Sequence, residues 1–255
     1  MYNYGRIAVA KLMNRPGKFL KRWPDKPRIL FFGPPNVPIT KLAQRLSIDL
    51  GVPVINMEQE FKNVQDKLNE DADHPFFVKV REMLDNQDFE TIAKEKIGSK
   101  LLRINEYAQD GFILNNFPNS IVDAESLEEI DGGMNSFVHL SMPDKFLAQM
   151  ESTKYQCNDC GAIYWKDDVV DEDSGVLQKS NFPADGFCHD CGSINIKPAI
   201  DPETFEQRLQ TYHEKKDELL EFYSYLGLLV DLDLREGGLS DYEKVKQSIQ
   251  YNIKF

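Results

Sequence analysis

Four cysteines form two Cys-x-x-Cys pairs, Cys157 with Cys160 and Cys188 with Cys191, and 27 residues separate the pairs. A glycine follows each pair, which lets backbone amides turn toward the sulfur atoms. Four thiolates satisfy tetrahedral Zn²⁺ and leave no open position, so the spacing predicts a structural rather than a catalytic metal site. Two disulfides or four buried thiols are the alternatives, and a chain of 255 residues has little need of disulfide staples.

The segments around the cysteines alternate between apolar strands and amphipathic helices. The run 28–33 is continuously apolar after its first residue and ends at glycine, which is typical of a buried parallel strand. Leu42, Leu46 and Leu50 then repeat at helical spacing, and Gly51 predicts the end of that helix. Further strands are predicted at 52–55, 111–114, 137–142 and 227–234, with several helices at 58–107 and one long helix at 207–225. This alternation predicts an α/β fold with a parallel sheet, interrupted at 155–200 by the cysteine segment.

Charge divides the chain into an acidic body and a basic arm. Residues 1–28 hold eight basic side chains and one acid, a net charge of +7, and since the whole chain carries −12 the remainder carries −19. Such a body is not a general nucleic-acid binder, and we predict no DNA partner. No apolar run approaches the roughly 20 residues that a membrane span needs, which excludes an integral membrane protein.

The basic arm, residues 1–27, is acid-poor and mildly amphipathic, as mitochondrial targeting segments are. A disordered basic tail is the alternative. We expect the arm to dock on protein subunits of a large complex, with anionic lipid or rRNA as further possible contacts. The expected location is mitochondrial, and a cytoplasmic or ciliary location is the alternative.

Several motifs, in order along the chain, resemble the adenylate kinase family in its long form with a zinc-bearing lid. They are Gly33-Pro-Pro35, Gly111-Phe-Ile-Leu114 with Phe117-Pro118, Met142-Pro-Asp144, the cysteine pairs, and the helix from Glu203 to His213 followed by Phe222-Tyr223. The resemblance implies a P-loop NTPase-like parallel sheet flanked by helices at 28–153 and 201–255. It also implies a monophosphate-binding insertion at 56–86 and a zinc-ribbon-like lid at 154–200.

The phosphate loop departs from the pattern G-x-P-G-x-G-K-G-T of that family. Asn36 stands at the second glycine, and Pro38, which has no N–H to offer a phosphate oxygen, stands at the third. Ile39 replaces the lysine that contacts the β- and γ-phosphates, while Lys41 falls on the following helix. Losing one preorganised donor typically costs about 10²–10³ in rate, so the loop predicts a chain without catalytic residues.

Other positions that the resemblance marks as functional have changed as well. Asn115 replaces the aspartate that helps to hold Mg²⁺ in that family. Asn119 replaces an arginine that binds the monophosphate, and Asp123 replaces a glutamine that recognises adenine. Met150 and Lys154 replace two arginines of the family. In the lid, an arginine and two aspartates are replaced by Lys197, Ala199 and Ile200.

Four residues remain as vestigial nucleotide contacts, namely Gly33, Lys62, Lys154 and Arg208. We therefore predict an inactive adenylate-kinase-like protein that serves as a structural accessory subunit of a mitochondrial assembly. A respiratory complex is favoured and a mitochondrial ribosome is next. The alternatives are a nucleotide-binding sensor without turnover and an active nucleoside monophosphate kinase with relocated residues. Zn²⁺ is the expected cofactor, and a bound nucleotide is doubtful.

Overall fold

The computed structural model describes residues 26–57, 110–115, 117–130, 132–236 and 240–252. The basic arm up to residue 25, the predicted helices at 58–107, nearly all of the predicted insertion at 56–86, and Lys62 lie outside these ranges. No helix within the described ranges is both long enough and apolar enough to cross a membrane.

A parallel sheet forms the centre of the molecule. Its strands are β1 (Arg28–Phe32), β2 (Val54–Asn56), β3 (Phe112–Asn115), β4 (Ser136–Ser141) and β10 (Leu229–Asp233), in the order β10-β4-β1-β3-β2. Every neighbouring pair is parallel. The predicted α/β class and the predicted strands are confirmed, with boundaries that shift by one or two residues.

Helices cover both faces of this sheet, because successive residues of a strand point to opposite sides. Ile29 and Phe31 pack into one apolar cluster, whereas Leu30 and Phe32 pack into the other. The first cluster includes residues of α1 (Ile39–Leu50), α3 (Asp144–Ser152) and α5 (Tyr242–Asn252), and the second includes residues of α2 (Ile121–Glu128) and α4 (Pro202–Tyr225). The continuous apolar run of β1 is thus explained by burial on both faces.

The segment between α3 and α4 forms antiparallel sheets of its own, and we call this segment the lid. Three strands, β5 (Lys154–Cys157), β6 (Ile163–Trp165) and β9 (Ile196–Pro198), pair in the order β6-β5-β9. Between β6 and β9 the chain forms a hairpin of β7 (Val169–Asp171) and β8 (Val176–Gln178), which we call the lid hairpin. All four cysteines lie in this unit, as the sequence predicts.

Two glycines at positive φ offer a matched test of the sheet connections. Gly111 precedes β3 with φ +110°, and a Cβ there would lie 2.6 Å from the carbonyl oxygen of Pro27. Gly51 ends α1 with φ +67°, and a Cβ there would have open space around it. We expect Gly51→Ala to lower the free energy of unfolding by about 1 kcal/mol, and Gly111→Ala to lower it by about 3 kcal/mol, since a backbone contact is added to the strain. Urea denaturation of the two variants measures both values, and equal losses would contradict the expectation.

Candidate metal centre and cleft

The four cysteines of the lid converge on one point. Cys157 ends β5, Cys160 lies in the turn that follows, and Cys188 and Cys191 lie in a second turn before β9. Each turn is closed in the same way, because the amide of the glycine after the pair donates to the carbonyl of the first cysteine, at 2.8 Å in both turns. Both glycines have positive φ, 78° and 73°, a backbone conformation that glycine adopts most readily.

The sulfur atoms have the spacing of a tetrahedral metal site. All four lie within 4.8 Å of one another and all are free thiols. The Sγ atoms of Cys157 and Cys191 are 3.7 Å apart, and those of Cys160 and Cys188 are 3.5 Å apart. Four sulfurs bonded at about 2.3 Å to a tetrahedral Zn²⁺ would be about 3.8 Å apart, so the four residues fit such an ion.

Tyr164 supports the metal centre from β6. Its hydroxyl lies 3.2 Å from the Sγ of Cys188 and accepts a hydrogen bond from the amide of His189 at 3.0 Å. The hydroxyl hydrogen bond lowers the pKa of Cys188 to about 6, which favours the thiolate form that binds a metal. His189 contacts Tyr164 through its backbone amide and through its ring, which lies edge-on at 5.9 Å between centroids.

The loop 33–38 connects β1 to α1 and corresponds to the predicted phosphate loop. At Gly33, a Cβ would meet the carbonyl oxygen of Leu140 and lie 3.0 Å from the side chain of Ile39, so the packing of β4 against the loop requires a glycine. Asn36 adopts a left-handed conformation with φ 69°. Ile39 is only 3% exposed and belongs to the apolar core. The side chain at the predicted lysine position therefore points into the core.

A buried carboxylate faces this loop. Glu151, on α3, is only 3% exposed. Its Oε2 accepts a hydrogen bond from Asn36 Nδ2 at 2.8 Å and lies 3.0 Å from Lys154 Nζ. Its Oε1 accepts the amide of Asp201 at 3.1 Å. This one side chain therefore joins the loop, the start of the lid and the start of α4, and its charge is one that repels a phosphate group.

The predicted nucleotide contacts that lie among the described residues are found in two places. Lys154 begins β5, and its ammonium is paired with Glu151. Arg208 is exposed on α4. Hydrogen bonds from Thr204 lower the pKa of Asp201, and the charges of Lys154 and Arg208 act in the same direction. Both cations therefore lie near the start of α4, whereas Gly33 lies in the loop and Lys62 is outside the described residues.

Two changed positions have structural partners within the chain. Asn115, at the end of β3, donates from Nδ2 to Thr40 Oγ1 at 2.8 Å. Asp123 is 4% exposed, accepts the amide of Asn119 at 3.0 Å, and donates its own amide to Ser120 Oγ at 3.1 Å. This is a capping interaction at the start of α2.

Burial raises the pKa of Asp123, which gives a prediction for the dependence of stability on pH. This carboxyl binds a proton more readily in the folded state than in the unfolded chain, so its own contribution to stability falls as the pH rises above about 4, the ordinary pKa of an aspartate. We expect Asp123→Asn, which keeps an oxygen for Asn119, to flatten this fall and to be at least as stable at neutral pH. Thermal melts from acid to neutral pH measure the effect. The exposed Glu206→Gln on α4 is the control and should keep the wild-type slope.

Glu151 was not identified from the sequence as a partner of the loop 33–38. We use the word cleft for this loop together with Glu151 and Lys154. The available signal was the spacing of Glu151 to Lys154, an acid and a lysine three residues apart, which in the structure pair across the end of α3. The sequence favours Trp165 as a packing or interface anchor rather than a cofactor contact, and in the structure it is 4% exposed within the apolar core. From its place on a helix, the sequence favours Lys41 as a solvated residue. In the structure its ammonium lies 5.6 Å from the centre of the Trp165 ring, and burial lowers its pKa.

Comparison with known proteins shows similarity to adenylate kinases. The chain is 26% identical to an adenylate kinase of Methanosarcina barkeri over 233 residues, which cover 89% of this chain and 98% of that protein. It is 27% identical to an adenylate kinase of Treponema denticola over 231 residues, with the same coverage. It is 30% identical to an adenylate kinase of Rhizobium rhizogenes over 146 residues, which span 61% of that protein. No model of a known protein family matches the chain.

Proposed function

Because this chain is a homologue of the adenylate kinases, we propose that it keeps their fold without phosphoryl transfer and serves as a structural accessory subunit of a larger mitochondrial assembly. The observation that carries the proposal is the loop 33–38 with its surroundings. An isoleucine packed in the core occupies the position where a phosphate-binding lysine is expected, and the carboxylate of Glu151 faces the loop.

The physical argument concerns charge. Phosphoryl transfer is accelerated mainly by positioning and by neutralising the charge of the phosphates. Pro38 has no N–H, Ile39 has no charge, and Lys154 pairs with Glu151. A polyphosphate would therefore meet few donors and one buried anion at this place, and stabilisation of the transition state would be lost.

A coupled assay of the full chain tests the loss of catalysis. ATP with AMP, and ADP alone, should give no turnover above buffer, while an active adenylate kinase at the same concentration serves as the positive control. Turnover that survives further purification would overturn the proposal. Calorimetry with AMP and with ATP tests the sensor alternative, and saturable binding without turnover would favour that alternative instead.

The basic arm is the proposed docking element of this function. Its net positive charge complements an acidic protein surface, anionic lipid or rRNA. Purification of the native protein, followed by cross-linking through Lys11, Lys18 and Lys21, tests the assignment. We expect a large complex, a respiratory complex rather than a mitochondrial ribosome, with cross-links to neighbouring subunits. A free monomer without such cross-links would contradict the accessory role.

The metal proposed for the lid is Zn²⁺ in a structural role. Support comes from the four thiols, which leave no open coordination position, and from their spacing. Together with Tyr164, the ion would hold a unit whose own apolar cluster is small.

A further inference from the structure

We propose that the lid of this chain is fastened over the cleft by its own apolar contacts, with Trp165 as the anchor, and stays closed without a nucleotide. This inference rests on the proposed function in one respect, namely that no nucleotide is needed to close the lid. A lid that opens and closes needs a surface that is stable in both positions. The lid observed here is instead part of the main core.

The first observation is the burial of three lid side chains. Trp165 on β6, Val169 on β7 and Val176 on β8 are 4%, 7% and 3% exposed. They belong to the same apolar cluster as Ile39 of α1 and Phe146 of α3. Opening the lid would expose these side chains to water, which the hydrophobic effect opposes.

The second observation is the contact between the anchor and the helix that follows the loop. The ammonium of Lys41 lies 5.6 Å from the centre of the Trp165 ring, within the range of a cation–π interaction. Among the described atoms, the indole nitrogen of Trp165 has no hydrogen-bond partner. The indole is therefore held by packing and by a cation on its face.

The third observation is a backbone connection between the lid hairpin and the end of the central sheet. The amide of Leu177, in β8, donates to the carbonyl of Arg235 at 3.0 Å, just beyond the end of β10. Leu177 also forms an isolated parallel bridge with Glu236. The lid hairpin therefore reaches across to the end of the central sheet, and this second attachment opposes a hinge motion.

Fluorescence of Trp165 tests the proposal in the full chain. The chain has two tryptophans, so Trp23→Phe leaves Trp165 as the only one. We expect acrylamide quenching about fivefold weaker than in the denatured chain, because a close-packed core excludes the quencher. Millimolar ATP with AMP should leave the emission unchanged. Quenching close to that of the denatured chain, or protection that appears only with nucleotide, would overturn the proposal.

The lid hairpin offers a matched pair of variants in the Trp23→Phe background. Val169 is 7% exposed and its neighbour Val170 is 55% exposed on the opposite face of β7. We expect Val169→Asp to increase quenching about twofold or more, because a carboxylate cannot stay in the core, and Val170→Asp to leave it unchanged. Equal behaviour of the two variants would overturn the assignment of the hairpin as a fastening.

Hydrogen exchange keeps the test decisive if Val169→Asp fails to fold. In the Trp23→Phe protein, the amide of Leu177 should exchange as slowly as amides of the central sheet, and fast exchange would overturn the proposal. A mobile lid would overturn this proposal and leave the proposed function standing, whereas phosphoryl transfer would overturn the proposed function. The two properties are measured separately on the same sample.

Discussion

Replacing Cys157 with serine should remove the metal from the lid and unfold the three-stranded part of it. The residue is fully buried at the end of β5, and its sulfur is one of four that share one site. Outer-shell changes at metal sites typically lower affinity about 10–100-fold, so loss of a ligand should lower the affinity for Zn²⁺ by more than about 100-fold. Titration of the chelated protein with Zn²⁺ alone measures the affinity, with one ion per wild-type chain as the expected stoichiometry.

The matched control is His189→Ala, which lies inside the second cysteine pair, is not one of the four clustered ligands, and packs its ring edge-on against that of Tyr164 at 5.9 Å between centroids. This variant should bind Zn²⁺ with wild-type affinity. Hydrogen exchange should show that β5, β9 and the start of β6 lose protection in Cys157→Ser while β1, β3 and β4 keep it. The thiols pack in a small cluster of their own, whereas Trp165, at the end of β6, packs in the core of the central sheet. Unchanged Zn²⁺ binding by Cys157→Ser would contradict the four-thiolate site.

Replacing Glu151 with alanine should give a large loss of stability without any direct effect on the lid metal. The side chains of Glu151 and Lys154 are 4% and 18% exposed. Removing one partner of a buried pair leaves the other charge uncompensated, which typically costs about 3–5 kcal/mol. The amide of Asp201 and the side chain of Asn36 also lose an acceptor. Denaturation in urea measures the free energy of unfolding.

An exposed ion pair of the same chain is the control for Glu151. Asp173 and Lys145 lie 3.8 Å apart with side chains 93% and 68% exposed, so Asp173→Ala should change stability by no more than about 0.5 kcal/mol. Adding Lys154→Ala to Glu151→Ala should recover part of the loss, because the unpaired cation is removed. A loss below about 1 kcal/mol for Glu151→Ala would show that the carboxylate is not a central part of the cleft.

The local patterns of the sequence were sufficient to predict the strands of the central sheet and the helix α1. The apolar run of β1, the helical spacing of the leucines in α1 and the glycine after that helix each specify a short segment, because periodicity and backbone freedom are local properties. The cysteine pairs were sufficient to predict the cluster of four thiols for the same reason. Each pair forms one tight turn, and only two such turns have to meet.

The cleft depended on the tertiary structure. Asn36 and Glu151 are 115 positions apart, and no local pattern in the sequence indicates that the fold brings them together. The same holds for Lys41 and Trp165, where a lysine that reads as a solvated helical residue is covered by the lid. The sequence by itself determined the α/β elements, the lid thiols and the missing lysine of the loop. Only the packing of distant segments placed the carboxylate of Glu151 beside the loop and Lys41 against Trp165. Burial and charge pairing depend on neighbours in space rather than on neighbours in the chain.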